Sequence, residues 1–322
     1  MVQSPVAYIT PVKTQLFTKP APFMASFSSK GPNTVTPEIL KVYLAIQTFS
    51  FSVFFFSFYT IYSFIILYVQ PDITAPGVNV IAAYTEAESP TNQAFDKRRI
   101  PFNSISGTSM SCPHVSGIVG LLKTLHPNWS PSAIRSAIMT TARTRDNNME
   151  PMLNSSFVKA TPFSYGAGHV RPNRAMDPGL VYDLTTNDYL NFLCTLGYNQ
   201  TQISLFSDGS YTCPKKNISL IDFNYPSITV PKLSGSATVT RTIKNVGSPG
   251  TYIAHVLAPA GIFVTVEPPS LKFEKMGEEK TFKLSFKTNL VGAAAREYLF
   301  GQLTWSDGEH NVRSPIVVKV AS

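Results

Sequence analysis

The 322-residue sequence predicts an α/β unit followed by an all-β sandwich. In the first part, a glycine turn at Gly107 opens into a run with apolar residues at helical spacing, Val115, Ile118, Val119 and Leu122, ended by His126-Pro127. From about Leu220 the texture changes to short alternating runs, among them Phe263-Val264-Thr265-Val266, Phe282-Lys283-Leu284-Ser285-Phe286 and Ile316-Val317-Val318-Lys319-Val320. Turn residues near Ser248-Pro249-Gly250, Glu267-Pro268-Pro269 and Asp307-Gly308 separate them, as in a β-sandwich. A chain of this length can hold two domains and bury a sizeable core.

The formal net charge of +8 is spread along the chain, and Lys97-Arg98-Arg99 is its tightest basic cluster. That cluster reads as a solvated loop, which argues against nucleic acid as a partner. Three cysteines are too few for a disulfide scaffold, but Cys194 and Cys213 lie in a polar, irregular stretch where one bridge fits. Cys112, on an apolar helix, reads as a small core residue. Asn128, Asn154, Asn199 and Asn217 begin Asn-x-Ser/Thr sequons, with Asn128 compromised by Pro131 directly after its serine. Met1-Val2-Gln3-Ser4-Pro5 lacks the basic-then-apolar opening of a signal peptide.

Taken in order, Phe23, Ala25 and Phe27 alternate before Gly31-Pro32 and predict a strand running into a turn. Residues 42–69 carry no charge, proline or glycine and are long enough to cross a bilayer, which takes roughly 20 apolar residues. Pro71 to Tyr84 predicts a loop and then a buried strand through Val78, Val80 and Ile81. Residues 85–101 predict a polar surface loop. Ser130-Pro131 is a serine cap with proline in the first helical turn, and Ile134, Ala137 and Ile138 give the helix that follows an apolar face. That helix is expected to pack beside the one begun at Gly107.

Within Gly107-Thr108-Ser109-Met110-Ser111-Cys112-Pro113-His114-Val115, Ser109 falls in the first turn of a helix, close to its free N–H groups and partial positive charge. An oxyanion formed by serine attack on a carbonyl would be stabilised there if further donors converge. This string resembles the serine block of subtilisin-like serine proteases. With Pro22 to Asn33, Pro71 to Tyr84, Phe163 to Val170 and Asp177 to Asp183, it is most similar to the cucumisin-like plant subtilases. Asp222 to Ile228 and Thr240 to Gly247 resemble the start of their C-terminal fibronectin type III-like domain.

The resemblance implies a C-terminal remnant of a subtilisin-like parallel-sheet catalytic domain followed by that sandwich. It divides the chain into catalytic remnant (1–41), apolar insert (42–70), serine-block part (71–195), linker (196–218) and sandwich (219–322). Residues 42–70 split two halves that are adjacent in the family. The preferred reading of them is an intron translated in frame, with a membrane helix as its rival.

Ser109 is the expected nucleophile, acting on protein or peptide substrates through an acyl-enzyme and without cofactor or metal. Asp72 lacks the family's Asp-Ser/Thr-Gly context, and His169 lacks its His-Gly-Thr context. His114 is expected to pack against its helix, and none of the five histidines stands in the base motif. The upstream asparagine that completes the family's oxyanion hole is also missing. The expectation is therefore an extracellular serine endopeptidase by family, inactive in this form. A non-catalytic relic that binds a partner or a membrane is the alternative.

Overall fold

The computed structural model describes residues 16–40, 71–207, 209–216, 218–288 and 297–321. The apolar insert and Asn217 lie outside them. No described helix is long and apolar enough to cross a membrane.

Four elements carry the first part: strands β1 (Val80–Ala83) and β2 (Phe102–Ile105), and helices α1 (Thr108–Leu125) and α2 (Pro131–Thr140). In α2, Ser130 caps by accepting the Ala133 N–H at 2.9 Å, and proline occupies the first turn. Its buried Ile134 and Ile138 meet Ile118 and Leu122 of α1 in one apolar cluster with Ala75, Val170 and Ala175. Burying side chains of this kind contributes roughly 1.5–3 kcal/mol each.

Three sequence expectations change here. Phe23 to Phe27 forms no strand: the Ser28 N–H bonds to the Ala25 carbonyl and turns the chain, so Phe23 and Phe27 stay half-exposed while Met24 alone is buried, with Met152 and Ala160. Val80 to Ala83 is a strand but not a buried one. It pairs antiparallel with β2 alone, and Val78 and Ile81 are exposed. Cys112 is exposed and free, and the His114 side chain is exposed too, because the cover that α2 gives α1 begins only at Val115.

Short helices α3 (Pro162–Tyr165) and α4 (Pro172–Ala175) lead to strand β3 (Leu180–Val181). Helices α5 (Thr186–Thr195) and α6 (Gln200–Ser204) follow, each opened by a capping box, from Thr185 with Asp188 and from Asn199 with Gln202. Cys194 and Cys213 form a disulfide beside them, closing the segment around α6.

The sandwich strands are β4 (Ile228–Leu233), β5 (Ser236–Asn245), β6 (Gly250–Leu257), β7 (Ile262–Glu267), β8 (Ser270–Phe273), β9 (Glu279–Thr288), β10 (Tyr298–Ser306) and β11 (Asn311–Val320). They make a sheet ordered β4-β11-β10-β6-β8 and a second ordered β3-β5-β9-β7. Period-two alternation turns Val239, Ile243, Phe282, Leu284 and Phe286 inward onto Trp305, whose ring meets Phe282 edge-on at 5.0 Å.

Arg241 shares that inward face and is fully buried, a position that requires full hydrogen bonding. Its guanidinium donates to the carbonyls of Ile221, Tyr225, Ser227 and Thr240. Burial brings its pKa down to about 10.

The boundary expected at residue 219 is crossed by the chain itself. Leu180 and Val181 pair with Asn245 and Lys244, and Leu180 and Tyr182 sit in the sandwich core. Tyr182 donates its N–H to Ser136 of α2 and accepts a hydrogen bond from Ser314 of β11, so one residue joins helix to sheet. Phe163 stands edge-on to Tyr298 and Phe300, and Arg313 reaches the Ala167 carbonyl.

Candidate active site

Ser109 lies in the first turn of α1, two residues after the extended N-cap Gly107, and is exposed. The turn is held from outside the helix by residues 72–77. Asp72 to Thr74 runs alongside Ala167 to Val170, with Ala167 N–H to Asp72 carbonyl at 2.9 Å and Thr74 N–H to Gly168 carbonyl at 2.8 Å. Three residues on, the Gly77 carbonyl accepts the Gly107 N–H at 2.8 Å, and the Ala75 carbonyl accepts the Ser111 hydroxyl at 2.9 Å.

Gly77 is glycine for want of room. A Cβ there would strike the Ser111 hydroxyl and come within 2.8 Å of the Gly107 carbonyl. The sequence folds this way locally because a close backbone approach fixes the glycine that begins the first turn of α1.

Segment 72–77 is itself anchored. Tyr225, fully buried, donates its hydroxyl to the Asp72 carboxylate at 2.5 Å. Burial and then the negative charge of Asp72 hold the Tyr225 hydroxyl well above the usual phenol range, so it stays a donor. The Arg135 guanidinium lies over the Tyr225 ring at 5.7 Å and donates to the Tyr189 hydroxyl. Burial opposes its charge, but Tyr225, Tyr189 and Asp72 more than offset that and raise its pKa. Asp72 is thus an anchor on the sandwich side of the segment.

No histidine is bonded to Ser109 among the described residues. His114 turns its Nδ1 back onto the Met110 carbonyl at 2.8 Å. His126 bonds the Met176 carbonyl and stacks on Trp129. His169 is tied to the Val170 carbonyl, and burial lowers its pKa. His255 lies in β6, and His310 lies between Asp177 and Asp307.

The four sequons fall on different ground. Asn128 is exposed between α1 and α2, but the hydroxyl of its Ser130 is committed to capping α2 and to Asp183 at 2.5 Å. Asn154 accepts the Ser156 and Val158 N–H groups through its side-chain oxygen. Asn199 caps α6 and is exposed. Asn217 is outside the described residues.

Sequence reasoning missed the Tyr225–Asp72 anchor and the His310 carboxylate pair. Each joins positions far apart in the chain, and only the turn residues around Asp307-Gly308 gave a local signal.

Comparisons with known proteins agree with this layout. Residues 56–168 match the profile of the Subtilase family and residues 222–318 that of a Fibronectin type-III domain. Subtilisin-like protease SBT5.4 of Arabidopsis thaliana is 57% identical over 99% of the chain, and SBT5.3 of the same plant is also 57% identical over 99%. Subtilisin-like protease Glyma18g48580 of Glycine max is 50% identical over 94%. In each case the match spans only part of the relative, 37%, 37% and 35% of its length.

Proposed function

The chain belongs to the subtilase family, with a fibronectin type III-like domain after its protease part, and on that premise we propose that it is the Ser109-bearing section of a plant-type serine endopeptidase. The single observation that supports this most is the placing of Ser109. It sits at the N-terminus of a long helix, on a turn fixed by Gly77, Ala75 and the Tyr225–Asp72 anchor. Serine attack on a peptide carbonyl there would put developing negative charge near the free N–H groups of α1.

In this reading the chain alone cleaves peptides poorly or not at all. The relatives are much longer, and among the described residues no imidazole is bonded to Ser109. Loss of triad members typically costs about four or more orders of magnitude in rate. Protein or peptide substrates, an extracellular site of action and modification at Asn154 or Asn199 belong to the same proposal. So does membrane association, should residues 42–70 be genuine protein.

The test is a fluorophosphonate probe on the purified chain beside Ser109→Ala. The proposal expects labelling far slower than in a complete subtilase, and rescue of Ser109-dependent labelling when the N-terminal part of a close relative is supplied. Rapid labelling of the chain alone would refute its poor activity, and no rescue would refute the role of Ser109.

A further inference from the structure

His310 sits at the turn between β10 and β11 with both ring nitrogens facing carboxylates. Its Nδ1 is 2.8 Å from Asp307 of the same turn, and its Nε2 is 3.2 Å from Asp177 of the segment that leads into β3. The imidazole is mostly buried, with 15% of its side chain exposed, whereas the Asp177 side chain is 70% exposed.

The turn is built to hold the ring. Asp307 also accepts the backbone N–H of Glu309 at 3.0 Å and of His310 at 2.6 Å. On the far side, Gly179 packs so closely, at φ +75°, that a Cβ there would meet the Tyr252 hydroxyl and come within 2.9 Å of the His310 ring.

We propose that His310 is a proton-operated clasp between the Asp177–Gly179 segment of the protease part and the β10–β11 turn of the sandwich, closed at acidic pH and loosened as pH rises. A neutral imidazole carries one N–H and can donate to one carboxylate, leaving a lone pair against the other. Only the imidazolium donates to both. Since Asp307 is also held by backbone donors, deprotonation releases the Asp177 end, which is the exposed one.

The two carboxylates on the ring favour the protonated form. Asp177 and Glu309 line the same cavity as His310 and favour its positive charge, Arg171 at the N-cap of α4 and Arg174 within α4 line it too and oppose that charge, and Tyr252 of β6 keeps its phenol proton because burial and the acids around it raise its pKa. Burial of the imidazole alone would lower its pKa, but hydrogen bonds to Asp307 and then Asp177 outweigh that and raise it. A raised histidine pKa contributes stability that is present in full below the ordinary histidine value and is lost as pH climbs through the folded-state value.

The experiment follows the His310 ring proton by NMR in the full chain and, on the same samples, hydrogen exchange of the amides of residues 177 and 179–182 between about pH 5 and pH 8, the range over which histidines change charge. The clasp predicts a titration midpoint above that of an unfolded peptide. It also predicts exchange at these amides that rises with pH more steeply than intrinsic chemistry requires. Asp177→Asn should lower the midpoint and flatten the excess, and because Asp177 is largely exposed this variant should fold even if His310→Gln does not. A midpoint at or below the peptide value, or the same excess in Asp177→Asn, would overturn the proposal.

Discussion

Tyr225 and Asp72 meet at 2.5 Å, phenol to carboxylate, across 153 residues of chain. The contact ties the entry to the sandwich to the segment that steadies the first turn of α1, and Arg135 closes over it from α2. Unpairing a buried group of this kind costs roughly 1.5–3 kcal/mol. Tyr225→Phe should lower stability by about that much in urea unfolding. Adding Asp72→Asn to it should cost clearly less than the sum of the two single changes, and full additivity would show that the pair is not coupled.

Gly77→Ala should disturb the first turn of α1, since its methyl would collide with Ser111 and the Gly107 carbonyl. Overpacking of this sort costs roughly 1–3 kcal/mol. A thermal unfolding curve that matches the parent would mean that residues 75–77 can move away freely. Ser111→Ala should cost less, about 1 kcal/mol, because it loses one hydrogen bond and leaves no clash.

A sandwich cut at residue 219 should unfold with poor cooperativity, because Leu180 and Tyr182 complete its core from outside that boundary. A piece beginning near residue 176 restores both residues and strand β3. Tyr182→Ala in the full chain should cost roughly 3–5 kcal/mol, as large-to-small changes of buried aromatics do. Equal cooperativity in calorimetry for the two pieces would argue that the edge strand is dispensable.

Replacing Cys194 and Cys213 by serine opens a cross-link between residues 19 apart in sequence. For a loop of this size chain entropy gives about 3 kcal/mol, so the midpoint of chemical unfolding should fall accordingly. Fast proteolysis should then appear first around α6. Cys112, exposed and unpaired, should react with a thiol reagent in the folded chain, and complete protection would contradict its exposure.

Much of this protein was written locally. Ser130-Pro131 specified the start of α2, His126-Pro127 the end of α1, and alternation in β5 and β9 the inward faces of the sandwich. Ser109 at a helix N-terminus was legible because a turn, a cap and a 3.6-residue period all lie within one short window.

What only the tertiary structure decided depends on which surfaces meet. Cys112 and Ile81 stand in stretches suited to burial, yet both remain exposed, and Val80 beside Ile81 is only partly buried. Leu180-Val181 looks like any short apolar pair, and its place on the edge of the sandwich is set by β5. Asp72 was a lone acid in the sequence, given its role by Tyr225, and His310 gained its second carboxylate only when Asp177 was brought to it. Local pattern fixes which backbone conformations are cheap, whereas the partner of a buried charge or an edge strand is set by long-range packing that no short window contains.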